Sequence, residues 1–258
     1  LINFLKGEKM AKKQPESASK RQLRKEELRQ KERQQKTITV GAIAVVAILL
    51  MALIIVPSVQ RSANPAGDFV KVTPGNYPNP DGTFMGNPDA KVKILLFEDF
   101  QCSACKNYAK EIEPRVISEI VAPGLAYYQF YNFPFLDDRS ADKGSDRAAL
   151  AAECAAEQNR FWDFKQILFG NQTGIQGQFS AIRLEAFAKS LGLDMNAYNS
   201  CVQTAKYQTK IDDDLKYGNE LGVTGTPTVF VNGIDASPGQ VPTFERIMEL
   251  VQQALQAN

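Results

Sequence analysis

The 258-residue chain contains no histidine. That absence removes the commonest general base and metal ligand. It excludes every Cys-His, Ser-His-Asp or histidine-rich metal mechanism. Net charge is nearly absent too, +1 over the whole chain, but the total hides an asymmetry. Residues 1–36 hold 12 Lys+Arg against 5 Asp+Glu, and the remainder holds 18 against 24. A basic tail of +7 therefore precedes an acidic body of −6, with an apolar segment between them. Cysteine is scarce. The four present, an even number, suffice for two disulfides if the body lies outside the cytoplasm. An all-cysteine zinc site would have to recruit Cys154 and Cys201 along with the other two. No metal and no cofactor is expected.

What is present centres on Phe97–Tyr108, FEDFQCSACKNY. The apolar run Val92 to Phe97 reads as a buried strand that ends in a short turn. Cys102 and Cys105 follow, and then a helical pattern starts. Cys102 is thereby placed at or just before a helix N-terminus, where unpaired N–H groups and the helix dipole stabilise negative charge. A thiolate is such a charge, so Cys102 is expected to have a lowered pKa and to be the attacking sulfur. Cys105, one turn inward, is within reach to close a disulfide with it. Strand, turn, C-x-x-C and helix together make a redox-site signature.

The first residue is Leu, and Met10, preceded by Lys6-Gly7-Glu8-Lys9, is expected to be the true start. Residues 1–36 read as a basic tail, solvated or helical, that acts as a topology signal rather than a nucleic-acid site. Residues 37–57 read as a transmembrane signal-anchor. Within them the 19 residues Ile38 to Val56 carry no charge, and as a helix they would span about 28 Å. Ten Lys+Arg lie between Ala11 and Lys36 and only Arg61 lies just beyond the run. The positive-inside rule then puts the tail in the cytoplasm and the rest outside. Pro57-Ser58-Val59-Gln60-Arg61 is a poor cleavage site, and no cysteine follows closely enough for a lipid anchor. Residues 58–89, with turn signals such as Pro74-Gly75 and Pro78-Asn79-Pro80, read as an extracytoplasmic linker. Phe69 to Val72 is a possible short edge strand.

In the body, residues 90–258, the helix from Ser103 to about Val121 should kink near Pro114. Ala126 to Phe133 is aromatic and β-prone, so strand, helix and strand form a βαβ unit. Residues from about 140 to 207 are helical and carry Cys154 and Cys201, each within a helix. Their expected state is a disulfide with each other, with a second redox pair as the alternative. Thr228 to Val231 is a strand, Asn232-Gly233 a hairpin turn, and Phe244 to Leu255 an amphipathic closing helix. Pro227 at the mouth of a strand is unusual, and a cis Thr226–Pro227 bond would explain it.

FEDFQCSAC after a strand, GVTGTPTVFVNG late in the chain and a helical insertion between them resemble the DsbA-like branch of the thioredoxin superfamily, over about Gly86 to Leu255. The resemblance implies an α/β, thioredoxin-like fold with an inserted α-helical domain, here preceded by a single transmembrane helix. It implies that Cys102 attacks a substrate sulfur and that Cys105 resolves the mixed disulfide. Pro227 would lie beside both sulfurs, with Thr226 backbone groups pairing with a substrate strand. The implied partners are reduced or misoxidised extracytoplasmic proteins and a quinone-linked membrane protein that reoxidises the pair.

Two departures from that family matter. Ser103-Ala104 lacks the histidine of the most oxidising members, so the helix N-terminus is left to stabilise the thiolate and a weaker oxidant is expected. Leu96 stands where many relatives carry a buried carboxylate; Glu98, on the same side of the strand, is the candidate proton relay. Isomerase and reductase are variants of the same chemistry. The rival of another class is a tethered binding or chaperone module whose disulfides are structural only.

Overall fold

The computed structural model describes residues 18–63, 65–139 and 142–257. Met10 lies outside them. Ala18–Ala63 forms one 46-residue helix, α1, long and apolar enough to cross a membrane. Where its polar half meets its apolar half, the Thr37 and Thr39 hydroxyls donate to the carbonyls of Arg33 and Gln35, at 2.9 and 2.8 Å. Their polar groups are thus satisfied within the helix itself.

The body is built on β2, Val92–Glu98. Its side chains are buried on both sides, as a near-continuous apolar run requires. Val92, Ile94 and Leu96 enter the main core, while Phe97 enters a second cluster with Phe133, Val223 and Phe230. β2 runs parallel to β3, Ala126–Asn132, with Leu96 opposite Phe130 and Glu98 opposite Asn132. A parallel pair needs a crossover. Here it is α2, Ser103–Glu111, then α3, Glu113–Val116, and a π-helical turn, Ile117–Val121. The break at Ile112 comes just before Pro114, whose missing N–H and ring cannot continue the α2 ladder.

β4, Thr228–Val231, pairs antiparallel with β2, and β5, Ile234–Asp235, pairs with β4. On the other edge β1, Phe84–Gly86, pairs antiparallel with β3. The five-stranded order is β1-β3-β2-β4-β5. Gly86 is required there: its φ is +98°, and a Cβ would lie 2.6 Å from the Ala126 carbonyl oxygen.

Between β3 and the second half of the sheet come α4, Gly144–Ala156, α5, Phe161–Gly170, α6, Ala181–Ser190, and α7, Met195–Gln203. This is the helical insertion. Cys154 of α4 and Cys201 of α7 are joined by a disulfide. α8, Gln208–Glu220, leads back to β4, and α9, Phe244–Gln256, closes the body with Ile247, Leu250 and Val251 buried.

The segment read as a linker departs from that expectation. Phe69 to Val72 forms no strand, and the stretch is docked on the body. The Asn171 side chain pairs with Val70 as a strand would, accepting from its N–H at 2.7 Å and donating to its carbonyl at 2.8 Å. Asp163 accepts from the Gly75 N–H at 2.8 Å, and Arg183 donates to the Ala66 carbonyl at 2.8 Å. Phe69 packs edge-on against Phe187, and the Tyr77 ring lies tilted against Trp162. The turn residues do give an irregular backbone. That backbone is held by amide, carboxylate and guanidinium groups of the insertion, which a local reading of residues 58–89 does not see.

Candidate active site

Cys102 is the N-cap residue of α2, with extended φ and ψ of −76° and 122°. The strand ends one turn earlier, and the chain is turned into the helix by Asp99. Its buried carboxylate accepts from the Gln101 N–H at 2.7 Å, the Leu136 N–H at 3.0 Å and the Ser145 hydroxyl at 2.6 Å. Asp99 thus ties the active-site turn to the start of α4. Burial pushes its carboxyl up to about 6, and its three donors oppose the rise. From the other side, the Gln172 side-chain amide donates to the carbonyls of Phe100 and Cys102, at 2.8 and 3.0 Å. The turn is therefore clamped by two residues of the insertion, Ser145 and Gln172.

The two sulfurs sit in different surroundings. Cys102 is half-buried and Cys105 is fully buried, and the structure holds them as free thiols. Thr226–Pro227 is a cis peptide, and the Cys102 thiol donates to the Thr226 carbonyl at 3.2 Å. The structure thus brings together Cys102, Cys105, Thr226 and Pro227.

The Cys102 pKa is lowered to about 5. The Cys105 thiol, hydrogen-bonded to the Cys102 sulfur, contributes most, against the opposing effect of burial. The Thr226 side chain comes next, and the backbone N–H groups of Cys105 and Ala104 follow. The N–H groups of the helix N-terminus thus lower the Cys102 pKa together with the Cys105 and Thr226 side chains. The Cys105 thiol is pushed well up, by burial first and then by Cys102 and the Glu98 charge.

The Thr226 hydroxyl is buried and has no hydrogen-bond partner among the described residues while Cys102 is a thiol; the ionised sulfur is the acceptor it can serve. Thr226→Val should leave the stability of the oxidised form unchanged or slightly raised, while in the dithiol form it removes a donor to the Cys102 thiolate. It should also raise the Cys102 pKa. A hydrogen bond worth about 1 kcal/mol would correspond to about 0.7 pKa units and a potential about 20 mV more reducing. Thiolate absorbance against pH checks the first shift and glutathione equilibration the second.

Behind the sulfurs lies a buried charge cluster. Glu98 is 1% exposed, and Lys165 Nζ lies 2.8 Å from its Oε2. Lys165 is also paired with Glu113, which accepts from the Tyr128 hydroxyl at 3.0 Å. Burial pushes Glu98 up to about 8; Lys165 opposes the rise and the Glu113 charge adds to it. Burial works against the Lys165 ammonium too, but the two carboxylates outweigh it and hold its proton. Glu98 Oε1 has no hydrogen-bond partner among the described residues.

Reading the sequence found Glu98 but missed Lys165, Glu113 and Gln172. A signal existed for Lys165. It falls on the apolar face of FWDFKQILFG, one turn from Phe161 and Phe169. A lysine there must be paired or costly. Glu113 and Gln172 carry no such mark in the sequence.

A family description of thioredoxin matches residues 78–252. A probable disulfide bond formation protein D from Bacillus cereus is 30% identical over 159 residues, covering 60% of this chain and 71% of its own. Two solved structures under 25% identical establish the fold. Oxidised BdbD from Bacillus subtilis superposes with a TM-score of 0.60 at 22% identity, over 72% of this chain and 100% of its own. DsbA from Chlamydia trachomatis gives 0.58 at 20% identity, over 74% and 97%.

Proposed function

Since the chain belongs to the DsbA-like branch of the thioredoxin superfamily and is a thiol–disulfide oxidoreductase, we propose that it donates disulfides to proteins outside the cytoplasm, from an N-terminal membrane anchor. The observation that carries the direction of transfer is the contrast between the sulfurs: Cys102 lowered to about 5, Cys105 pushed well up. A stabilised Cys102 thiolate favours the dithiol form, which makes the disulfide form an electron acceptor.

The steps follow from that contrast. A substrate thiolate attacks Cys102 Sγ in the oxidised protein, and the Cys102–Cys105 bond breaks. Cys105 leaves with the bonding electron pair and, being a strong base in its buried site, takes a proton. Glu98, whose carboxyl is pushed up by burial against the pull of Lys165, supplies that proton. A second substrate thiolate then attacks the substrate sulfur bonded to Cys102. Cys102 leaves as a thiolate, and the two electrons stay with the protein. The Thr226 backbone beside Cys102 suits pairing with an extended substrate segment, as in strand addition.

Reoxidation reverses these steps on a membrane partner, which the family resemblance suggests to be quinone-linked. The charge-free half of α1 and the ten Lys+Arg before it support an anchor with a cytoplasmic N-terminus.

The test is the reduction potential of Cys102–Cys105 in the full chain, equilibrated with glutathione buffers. A value between about −120 and −180 mV is expected for a disulfide donor. A value near about −270 mV would reverse the direction and make the protein a reductase.

A further inference from the structure

Residues 66–77 lie outside the stretch that the thioredoxin description matches, which begins at residue 78. They are nonetheless built into the body. Arg183 donates to the Ala66 and Asp68 carbonyls, at 2.8 and 3.3 Å, and Asp163 accepts from Gly75. Between those points Asn171 pairs with Val70 in both directions. The Asn171 side chain is 6% exposed. Its oxygen accepts from the Val70 N–H, and its nitrogen is shared between the Val70 and Ile167 carbonyls. Without Val70 the buried oxygen would have no donor among the described residues, and a buried acceptor left unpaired is costly.

The next residue is Gln172. Its side-chain amide donates to the Phe100 and Cys102 carbonyls, at 2.8 and 3.0 Å. Its own backbone carbonyl accepts from Lys106 Nζ at 2.9 Å. Gln172 thus holds the turn on both sides of Gln101 and the start of α2 as well. A run of hydrogen bonds leads from Val70 to Asn171, across one peptide unit to Gln172, and on to Cys102.

We infer that residues 66–77 are a working part of the redox site: docked on Asn171, they keep Gln172 on the Cys102 carbonyl and so set the reactivity and potential of Cys102. The inference rests on Cys102 being the reactive sulfur, as in the reading above, and not on a direction of transfer. Gln172 acts through the Cys102 backbone, and Val70 and Asn171 act through Gln172, so all three are positioning residues. The two redox forms feel this support unequally. In the disulfide form the bond to Cys105 itself fixes Cys102 Sγ. In the dithiol form the sulfur relies on hydrogen bonds from the Cys105 and Thr226 side chains and from the N–H groups of Ala104 and Cys105. Such bonds weaken steeply as distance and angle depart from the optimum. A turn that drifts loosens them, raises the Cys102 pKa and favours the disulfide form.

The test uses the full chain in detergent. Thiolate absorbance against pH gives the Cys102 midpoint, glutathione buffers give the dithiol–disulfide equilibrium, and the melting temperature is followed alongside. Gln172→Leu removes the donor to both carbonyls. It is expected to raise the midpoint by about 0.7 units, which moves the equilibrium at pH 7 about fivefold toward the disulfide form. Val70→Pro removes the N–H that Asn171 accepts and leaves Asn171 and Gln172 in the chain. It is expected to move both readouts in the same direction, the equilibrium by about twofold. Val70→Ala keeps the N–H and trims a side chain that is 64% exposed, so it is expected to match the native chain. If Val70→Pro does not fold, Asn171→Leu takes its place, because it removes the same hydrogen bond from the other side. A lower melting temperature with an unchanged midpoint and equilibrium is the mark of a segment that only stabilises the body, and it overturns the inference. A shift in Val70→Ala as large as in Val70→Pro overturns it too. The disulfide-donor reading stands or falls separately, on the potential of the native chain, whereas the inference is read from differences between variants.

Discussion

A Cys102→Ser chain will transfer no disulfides, and in the native chain the alkylation of Cys102 will titrate with a midpoint near pH 5 rather than 9. The serine hydroxyl cannot form the mixed disulfide through which exchange proceeds. The titration is the more informative half, because it says which role of the sulfur is being served. With a pKa of about 5, about 99 in 100 Cys102 groups are thiolate at pH 7, against about 1 in 100 for an ordinary thiol. Intrinsic nucleophilicity falls with pKa, with a Brønsted slope of about 0.4–0.5, so four units cost about 40- to 100-fold in attack. The gain in thiolate and the loss in reactivity nearly cancel. What remains is the leaving-group advantage: a low-pKa sulfur departs faster, and departure of Cys102 releases the oxidised substrate. The lowered pKa thus serves disulfide donation more than attack.

The sign of the pH dependence follows. Cys102 titrates near 9 when unfolded and near 5 in the folded dithiol form. Its contribution to the stability of that form is full above about pH 9 and shrinks as pH falls. It is gone below about pH 5. Iodoacetamide rates across pH 4–10, with Cys105 replaced by alanine in a parallel sample, measure the midpoint. Because Cys105 is the largest cause of the depression, the midpoint should rise in that variant. A native midpoint above about pH 8 would remove the physical basis for the oxidant reading.

Much of this site was legible in the sequence because its parts are local. C-x-x-C after an apolar strand places Cys102 at a helix N-cap, and the structure has it there. Pro227 before a strand pointed to the cis bond that is present. What could not be read is how distant segments complete the site. The Cys105 and Thr226 side chains join the helix end in lowering the Cys102 pKa, and their part depends on side-chain geometry. Gln172 clamps the turn from 70 residues away, and a lone glutamine in a loop has no pattern to mark it. The docked segment from Ala66 to Tyr77 failed for a similar reason. Turn residues predict irregular backbone, but whether that backbone is free or held depends on Asn171, Asp163 and Arg183, about a hundred residues on. The π-helical turn after α3 follows the proline kink that the sequence did show, yet its extra residue per turn was not foreseeable from periodicity.

Replacing both Cys154 and Cys201 with alanine should lower the unfolding free energy of the body by about 4 kcal/mol. The crosslink spans 47 residues, and closing a loop of that size removes about this much chain entropy from the unfolded state. For a body of this size the melting temperature should fall by about 8–16 °C. The consequence should stop there. Both sulfurs are buried, at 1% and 4% exposure, where a substrate thiolate cannot reach them. The variant should therefore still carry two redox-active thiols and keep its potential. The effect on function is indirect. α4, which carries Cys154, also presents Ser145 to Asp99, and Gln172 follows α5 of the same insertion. Loosening the insertion should relax both clamps on the active-site turn, so exchange should fail at the lower temperature where the insertion melts rather than where the sheet does. Denaturant titration with Cys102 and Cys105 blocked isolates the first effect, and exchange assayed against temperature reports the second. An unchanged unfolding midpoint would mean the crosslink constrains little. A shifted potential or a changed electron count would mean that Cys154 and Cys201 take part in the chemistry.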